Sequence, residues 1–451
     1  MRTKHIVPTE AYDPISGLAD DICGRIVSFL PMKEAVATSV LSKRWRYAWT
    51  FSPVLDLDLS LFPKARGRRA AFADFADSAV ALFALPHLTK LRLSLDDARG
   101  GGGGPDPRLE SWLAFAVARR VQDLELCLPR SRTRRLPDSI FRCGSITSLK
   151  LRLRCYAFEL PSPAGLPRLR VLHLTSISLS KGSFFQDLFS NCVLLEELVV
   201  EECRTDVLEI DGARKLTTLV ISKCSWVDPA RIRVSAPRLK TLHYVGGAAD
   251  EHCMENLQRL DEVVLGLRAP SLMWEAEEDC QERLVKLFQM VGGARSLTLS
   301  SWCIRHLARA PGLPDGVQEG VKHLVLFMER REDGLGAIAP LLRSCPYLET
   351  LSVSVTPSQS VRKGRATARE KQRELGIRRM ARQLKTARLE NIDESKTGLE
   401  LVRFLLKNLR ALEKMTIVPS KDGLEHAKFR RKVSTFPRAS RNVVIEYHFS
   451  E

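Results

Sequence analysis

No CxxC pair occurs anywhere in this sequence, although it holds eleven cysteines scattered from Cys23 to Cys345. Without paired spacing there is neither a zinc ribbon nor a disulfide framework to read. Most of these cysteines are therefore expected to be reduced core or loop residues. Also lacking is any apolar run of the ~18–20 residues that a membrane helix needs. The opening "MRTKHIVPTEAYDP" has no signal-peptide apolar core either, so a nuclear or cytoplasmic protein is expected. There is no GxSxG, no HExxH and no kinase motif set. The glycines of "RGGGGGP" (99–105) lack the GK[ST] ending of a phosphate loop and read as a flexible insertion. No catalytic, cofactor-binding or metal-binding residue is assigned, and no cofactor is expected.

What is present is ordinary in bulk and unusual in charge. The chain has 451 residues, 44% apolar and 27% charged, enough for two or three domains or one elongated repeat protein. Its net charge is +17. About half of that excess lies in "VRKGRATAREKQRELGIRRMARQLKTAR" (361–388), with smaller clusters at "KARGRR" (64–69) and "RSRTRR" (130–135). Such runs can contact nucleic acid or acidic proteins, serve in nuclear import, or simply form a solvated face.

A repeat runs through most of the chain. The pattern LxxLxL, with Val and Ile tolerated, recurs from "LTKLRL" (88–93) to "LETLSV" (348–353). Its central residues are Leu91, Leu124, Leu149, Leu172, Leu198, Leu219, Leu242, Val263, Leu297, Leu324 and Leu351. Most intervals match the leucine-rich-repeat period of ~20–29 residues, and the longer ones allow for inserted loops. In each short strand the leucines point into the core and the residues between them point outward, onto the concave face. One repeat cannot bury its own apolar edge, so neighbours must stack. The outward residues form a mixed surface, with Arg92, Lys150, Arg152, His173, Val199 and His243 as candidate target-facing positions. His173 and His243 read as exposed face residues rather than metal ligands.

The stretch before the repeats has another rhythm. "DPISGLADDICGRIVSFLP" (13–31) spaces Leu18, Ile22, Ile26 and Phe29 or Leu30 at helical intervals, with Asp20 and Asp21 at the favourable end of the helix dipole. "MKEAVATSVL" (32–41) repeats the pattern with Ala35, Val36 and Val40, and Ser42 can cap a third helix carrying Trp45 and Trp49 on one face. A unit this short seldom stands alone, and its apolar surface exceeds what it can hide. It is expected to dock on the repeats and on a partner.

Residues 13–49 resemble an F-box, the three-helix segment that binds the Skp-type adaptor of a cullin ubiquitin ligase. The matching pieces are "ISGLADDICGRIVSFLP", "KEAVATSVLSKRW" and the closing "AW". The order of F-box then leucine-rich repeats is similar to the large plant F-box family. "SLTLSSWCIRHL" (296–307) and "LLRSCPYLETLSV" (341–353) are similar to segments typical of it. "LKTARLENIDESKTGLELVRFLLKNLRALEKMTI" (384–417) and "STFPRASRNVVIEY" (434–447) resemble its C-terminal FBD region. Two positions depart from the family pattern: Ala19 replaces a usual proline, and Cys23 a bulkier apolar residue.

The resemblance implies an α/β fold: a three-helix F-box (13–52), a leucine-rich-repeat solenoid or horseshoe (53–360), and a region of basic helix plus FBD-like repeat and cap (361–451). It implies adaptor contacts at Leu18, Ile22, Ile26, Leu30, Val36, Val40, Trp45 and Trp49, about half of them mainly internal. It further implies a non-catalytic substrate receptor joined through the adaptor to a cullin scaffold, holding an unknown protein target on its repeats. Two alternatives stay open: nucleic-acid binding through the basic clusters, and a small anionic ligand held by Arg92, Lys150 and Arg152.

Overall fold

Every one of the eleven central residues sits in a strand of the computed structural model. Each of those residues is 2% exposed or less, so the spacing is a burial pattern as well as a sequence pattern. The structure describes residues 17–95, 108–128, 131–134, 136–158, 165–179, 184–268, 277–310, 313–329, 334–356, 383–392, 396–420 and 426–448. The glycine run at 99–105 and most of the basic run at 361–388 lie outside the described residues; Thr386–Arg388 of the latter belong to a strand. The chain divides into two units, Met1–Ile177 and Ser178–Glu451.

In the first unit, helix α1 (Asp20–Val27) and helix α2 (Met32–Ala37) precede a 3-10 helix, Trp45–Phe51. The third helix expected from the sequence is thus wound more tightly and starts two residues later than a Ser42 cap would place it: Arg44 stands at its N-cap without a side-chain bond, while the Ser42 Oγ accepts from the Trp45 N–H at 3.3 Å. Strands β1 (Val54–Asp58), β2 (Lys90–Ser94), β3 (Asp123–Cys127), β5 (Ser148–Phe158) and β6 (Val171–Leu179) follow as an in-register parallel ladder. The short β4 (Ser131–Arg134) pairs with the far half of β5. Helices α3 (Arg68–Leu82), α4 (Leu109–Ala118) and α5 (Asp138–Phe141) supply the return legs between strands. Strand β1 has no LxxLxL motif, yet Leu55 and Leu57 are fully buried and it starts the ladder.

The second unit carries a longer ladder. Strands β7 (Glu197–Glu201), β9 (Thr218–Ser222), β11 (Thr241–Gly247), β13 (Glu262–Arg268), β14 (Ser296–Leu299), β15 (His323–Glu329) and β16 (Thr350–Thr356) run in parallel register. It continues through β17 (Thr386–Ile392), β18 (Lys414–Pro419) and β19 (Val444–Tyr447), also parallel. The C-terminal region therefore extends the ladder, with helices Lys396–Asn408 and His426–Ser434 as its return legs.

What occupies a return leg follows from its length. Between Leu198 and Val263 the intervals are too short for a helix, and strands β8 (Arg204–Ile210), β10 (Ser225–Ser235) and β12 (Glu251–Glu255) pair there as a second parallel sheet. Where the interval lengthens, helices α6 (Phe184–Asn191), α7 (Glu277–Met290), α8 (Ser301–Arg309) and α9 (Gly334–Ser344) replace them.

The scattered cysteines also find a reason. Six residues before a central leucine stands a small buried slot, filled by Cys143, Ala213, Ala236 and Cys345 among others. Among the described residues no cysteine takes part in a disulfide. Burial pushes the Cys345 thiol up to about 12, and those of Cys224 and Cys303 up to about 11, so they stay protonated and inert. In one repeat the slot holds Gln318, fully buried, with its amide Nε2 donating to the Phe288 carbonyl.

Five of the return legs begin at a sharp corner. Ser176, Glu202, Lys223, Gly246 and Asn391, each four residues past a ladder-centre residue, all have positive φ. Only Gly246 is glycine there, and a side chain on it would press 3.1 Å from the Lys223 backbone.

The α1 helix and the 3-10 helix approach each other closely at Gly24. A Cβ on Gly24 would collide with the Phe51 carbonyl and stand 2.8 Å from the Phe51 Cβ. Gly24→Ala is expected to part these helices at a cost of about 1–3 kcal/mol. Tryptophan fluorescence during thermal unfolding checks this, because Trp45 and Trp49 are packed in the same small core.

Candidate functional site: the apolar face of the helical unit

The small helical unit has an inside and an outside, and they divide the apolar residues unexpectedly. Its core consists of Cys23, Val27, Met32, Ala35, Trp45, Ala48 and Trp49, all buried. Ile22 and Ile26 project from the opposite side of α1 and are each 45% exposed. The periodic face that the sequence singled out is thus the exposed face. Beside it stand Leu30, Val40 at 86% exposed and Phe29 at 87% exposed, with Leu18 and Val36 half-buried.

Of the eight positions expected at an adaptor, Ile22, Ile26, Leu30 and Val40 are exposed. Trp45 and Trp49 are core residues instead, because the 3-10 helix that carries them packs against α1 and α2. They act by holding the face in shape. Phe29, Leu41 and Tyr47 are exposed apolar residues of the same unit. Leu41 and Tyr47 were not singled out by sequence, since they lie between helical periods in a segment that turns tightly.

The two departures from the family pattern become intelligible. Ala19 has φ −68°, the value a proline would impose, and its carbonyl accepts from the N–H groups of Ile22 and Cys23. Cys23 is internal, 2% exposed, so it changes the packing of the unit rather than its outer face.

The unit is joined to the ladder without a free linker. The Ala84 N–H donates to the Thr50 carbonyl at 3.0 Å, and the Thr89 N–H to the Pro53 carbonyl at 2.9 Å. The Lys33 ammonium donates to the Leu61 carbonyl at 2.7 Å and lies 5.1 Å above the Phe62 ring. The Asp20–Arg44 pair, 3.6 Å apart and exposed, adds little.

The sheet face of the first unit is charged and internally neutralised. The Arg92 guanidinium donates to Asp56 at 2.8 Å, to Asp58 at 2.9 Å and to Glu125 at 3.2 Å. Lys90 lies 3.4 Å from Asp123 and 3.3 Å from Glu125. Burial alone would lower the Arg92 pKa, but the hydrogen bonds it donates to Asp56 and Asp58 raise it instead. Burial would likewise raise the Asp58 carboxyl, yet hydrogen bonds from Ser60 and Arg92 hold it below the usual carboxylate range.

This network corrects one expectation. Glu125 pairs in register with both Arg92 and Lys150, so it separates them, and Arg92 is already satisfied by carboxylates. No anion-binding cluster of Arg92, Lys150 and Arg152 results. Lys150 and His173 are half-buried neighbours, and Arg152 is exposed. In the second unit, Val199 is half-buried and His243 stands 3.5 Å from Glu262. Among the described residues no group of His, Cys, Asp and Glu could hold a metal ion. Nor is any described helix long and apolar enough to cross a membrane.

One further concavity, lined by His252, Cys280, Arg283 and Trp302 among others, has room for about one water molecule. Burial, and secondarily the Arg283 charge, push His252 down to about 4, so this imidazole is neutral.

A helical unit of this kind at the head of leucine-rich strands defines the class of F-box proteins with repeat domains. An F-box domain model matches residues 15–56, and the model described as the At1g61320/AtMIF1 LRR domain matches residues 88–448. The chain belongs to the F-box/leucine-rich-repeat family. F-box/LRR-repeat protein At3g59190 of Arabidopsis thaliana is 30% identical, over 76% of this chain and 93% of that protein. F-box/LRR-repeat protein At4g14103 of Arabidopsis thaliana is 33% identical, over 57% of this chain and 68% of that one. F-box/FBD/LRR-repeat protein At2g26030 of Arabidopsis thaliana is 25% identical and covers 96% of this chain and 98% of its own length.

Two outcomes test this division of labour. Trp45→Ala is expected to cost about 3–5 kcal/mol of unfolding free energy, whereas Ile26→Asp should change it by less than about 0.5 kcal/mol. Denaturant titration of both variants checks the contrast. For the charged network, Asp58 has a depressed pKa, so its contribution is present above the ordinary carboxylate value and disappears as pH falls through the folded one. Arg92→Met is expected to lower the melting temperature at neutral pH and to flatten its fall below the ordinary carboxylate value, the two proteins converging in acid, as read from melting temperature against pH.

Proposed function

We propose that this chain is the substrate-recognition subunit of a Skp–cullin–F-box ubiquitin ligase. F-box/LRR proteins generally serve as such receptors, and F-box domains generally bind Skp-type adaptors. The observation that carries the reading is the exposed apolar face of Ile22, Ile26, Phe29, Leu30 and Val40 on a unit whose own core is already filled. So much apolar surface on so small a unit marks a protein interface.

Ile22, Ile26, Leu30 and Val40 would make the adaptor contacts, with Phe29, Leu41 and Tyr47 beside them. Leu18 and Val36 form the flank, and Trp45 and Trp49 support the face from beneath. The ladder would hold the target. Chemistry then belongs to other subunits, and this chain contributes proximity, raising the effective concentration of target lysines near the charged enzyme.

Pull-down with a Skp-type adaptor tests the reading. Recovery is expected for the wild type and strong loss for an Ile26→Asp/Leu30→Asp variant whose thermal unfolding is unchanged. Wild-type protein that recovers no adaptor, where an established F-box protein does, would overturn it.

A further inference from the structure

From β9 to β16 the outward face of the second ladder carries few charges in a chain of net charge +17. From β9 to β16 its positions include Thr218, Val220, Thr241, Val245, Val264, Thr298, Val325, Phe327 and Ser352. The charged outward positions on these six strands are Glu262, which stands against His243, and two strand ends, Arg268 on β13 and Glu329 on β15, the latter 3.6 Å from Arg305. At a strand spacing of about 4.8 Å the face is roughly 24 Å wide. Phe327 is its most exposed large apolar side chain, at 45%.

Basic charge gathers at one edge of this face. The turns that lead into β9, β11 and β13 place Lys215, Arg238 and Arg259 four residues before Leu219, Leu242 and Val263, which pair in register. The three cations therefore stack on successive repeats. Arg214 and Lys240 stand beside them, and all five are exposed. None of the five has an ion-pair partner among the described residues; Asp261 is the acid that follows in the same line of loops. Like charges stacked across neighbouring strands repel, so this edge is electrostatically unsatisfied in the isolated chain.

We propose that Lys215, Arg238 and Arg259 form an acid-reading rim, and that the target segment pairs Asp or Glu side chains with this rim while its apolar residues lie on the Val220–Val264–Phe327 face. The proposal rests on the receptor reading and names the chemistry of its target. Charge complementarity selects the occupant. A nucleic acid is disfavoured, because the outward positions of β9, β11 and β13 are Val, Thr, Ser, His, Gly, Glu and Arg, with no Phe, Tyr or Trp beside the rim for bases to stack on.

The test uses the full chain with its adaptor and a phage-displayed library of random peptides. Enriched peptides are expected to carry adjacent acids beside apolar or aromatic residues. A synthetic copy of the strongest should lose roughly tenfold affinity or more against K215E/R238E/R259E, and should bind less tightly as salt rises. The milder K215Q/R238Q/R259Q variant, checked by thermal unfolding, guards against a folding defect in the charge reversal and should show the same direction. Val264→Lys should weaken the same peptide. Enriched peptides without acidic excess, or unchanged affinity in both triple variants, would overturn the proposal. So would an oligouridylate that binds more tightly than the peptides and is lost in the same variants. Adaptor recovery is measured in parallel: its failure alone removes the ligase assignment and leaves the rim standing, whereas loss of peptide binding alone does the reverse.

Discussion

Each strand of the ladders leaves one edge of hydrogen-bonding groups and one row of leucines that only the next repeat can satisfy. Everything else in the molecule is arranged around that incompleteness. Leu219, Leu242 and Val263 touch the same core line because their strands pair in exact succession, residue for residue. A repeat removed from the middle would expose two such edges at once, so stability is shared between neighbours rather than held in a single core.

Because the inward positions are fixed by packing, the outward ones are free to vary, and they differ sharply between the units. In the first, Asp56, Arg92 and Glu125 neutralise one another within a single row. In the second, Val220, Val264 and Val325 leave a face that water covers poorly. The helical unit follows the same division. Its inner residues are consumed in holding two tryptophans, and its outer residues are left for association.

The ladder was legible in the sequence because leucine spacing and burial report the same constraint, and the short intervals after Leu198 explain why strands replace helices there. Strand β1 was not legible, since "VLDLD" has the alternation but not the longer motif. The strands β8, β10 and β12 lack the motif too: β8 and β10 follow corners with positive φ at Glu202 and Lys223, and β10 is broken by a bulge between Trp226 and Arg231. In the helical unit the periodic residues were found, but a period cannot say which side faces in. That was decided by Gly24, whose missing side chain lets the 3-10 helix close against the Cys23–Val27 side and leaves Ile22 and Ile26 outside.

The hydrogen bonds from Ala84 to Thr50 and from Thr89 to Pro53 tie the F-box to the start of the first ladder. They also make the two thermodynamically inseparable at that end. Opening of the helical unit must release strand β1, so a partner that binds only the closed unit also suppresses fraying of the repeats by mass action. Amide exchange in β1 and β2 would then report occupancy of a surface they do not touch.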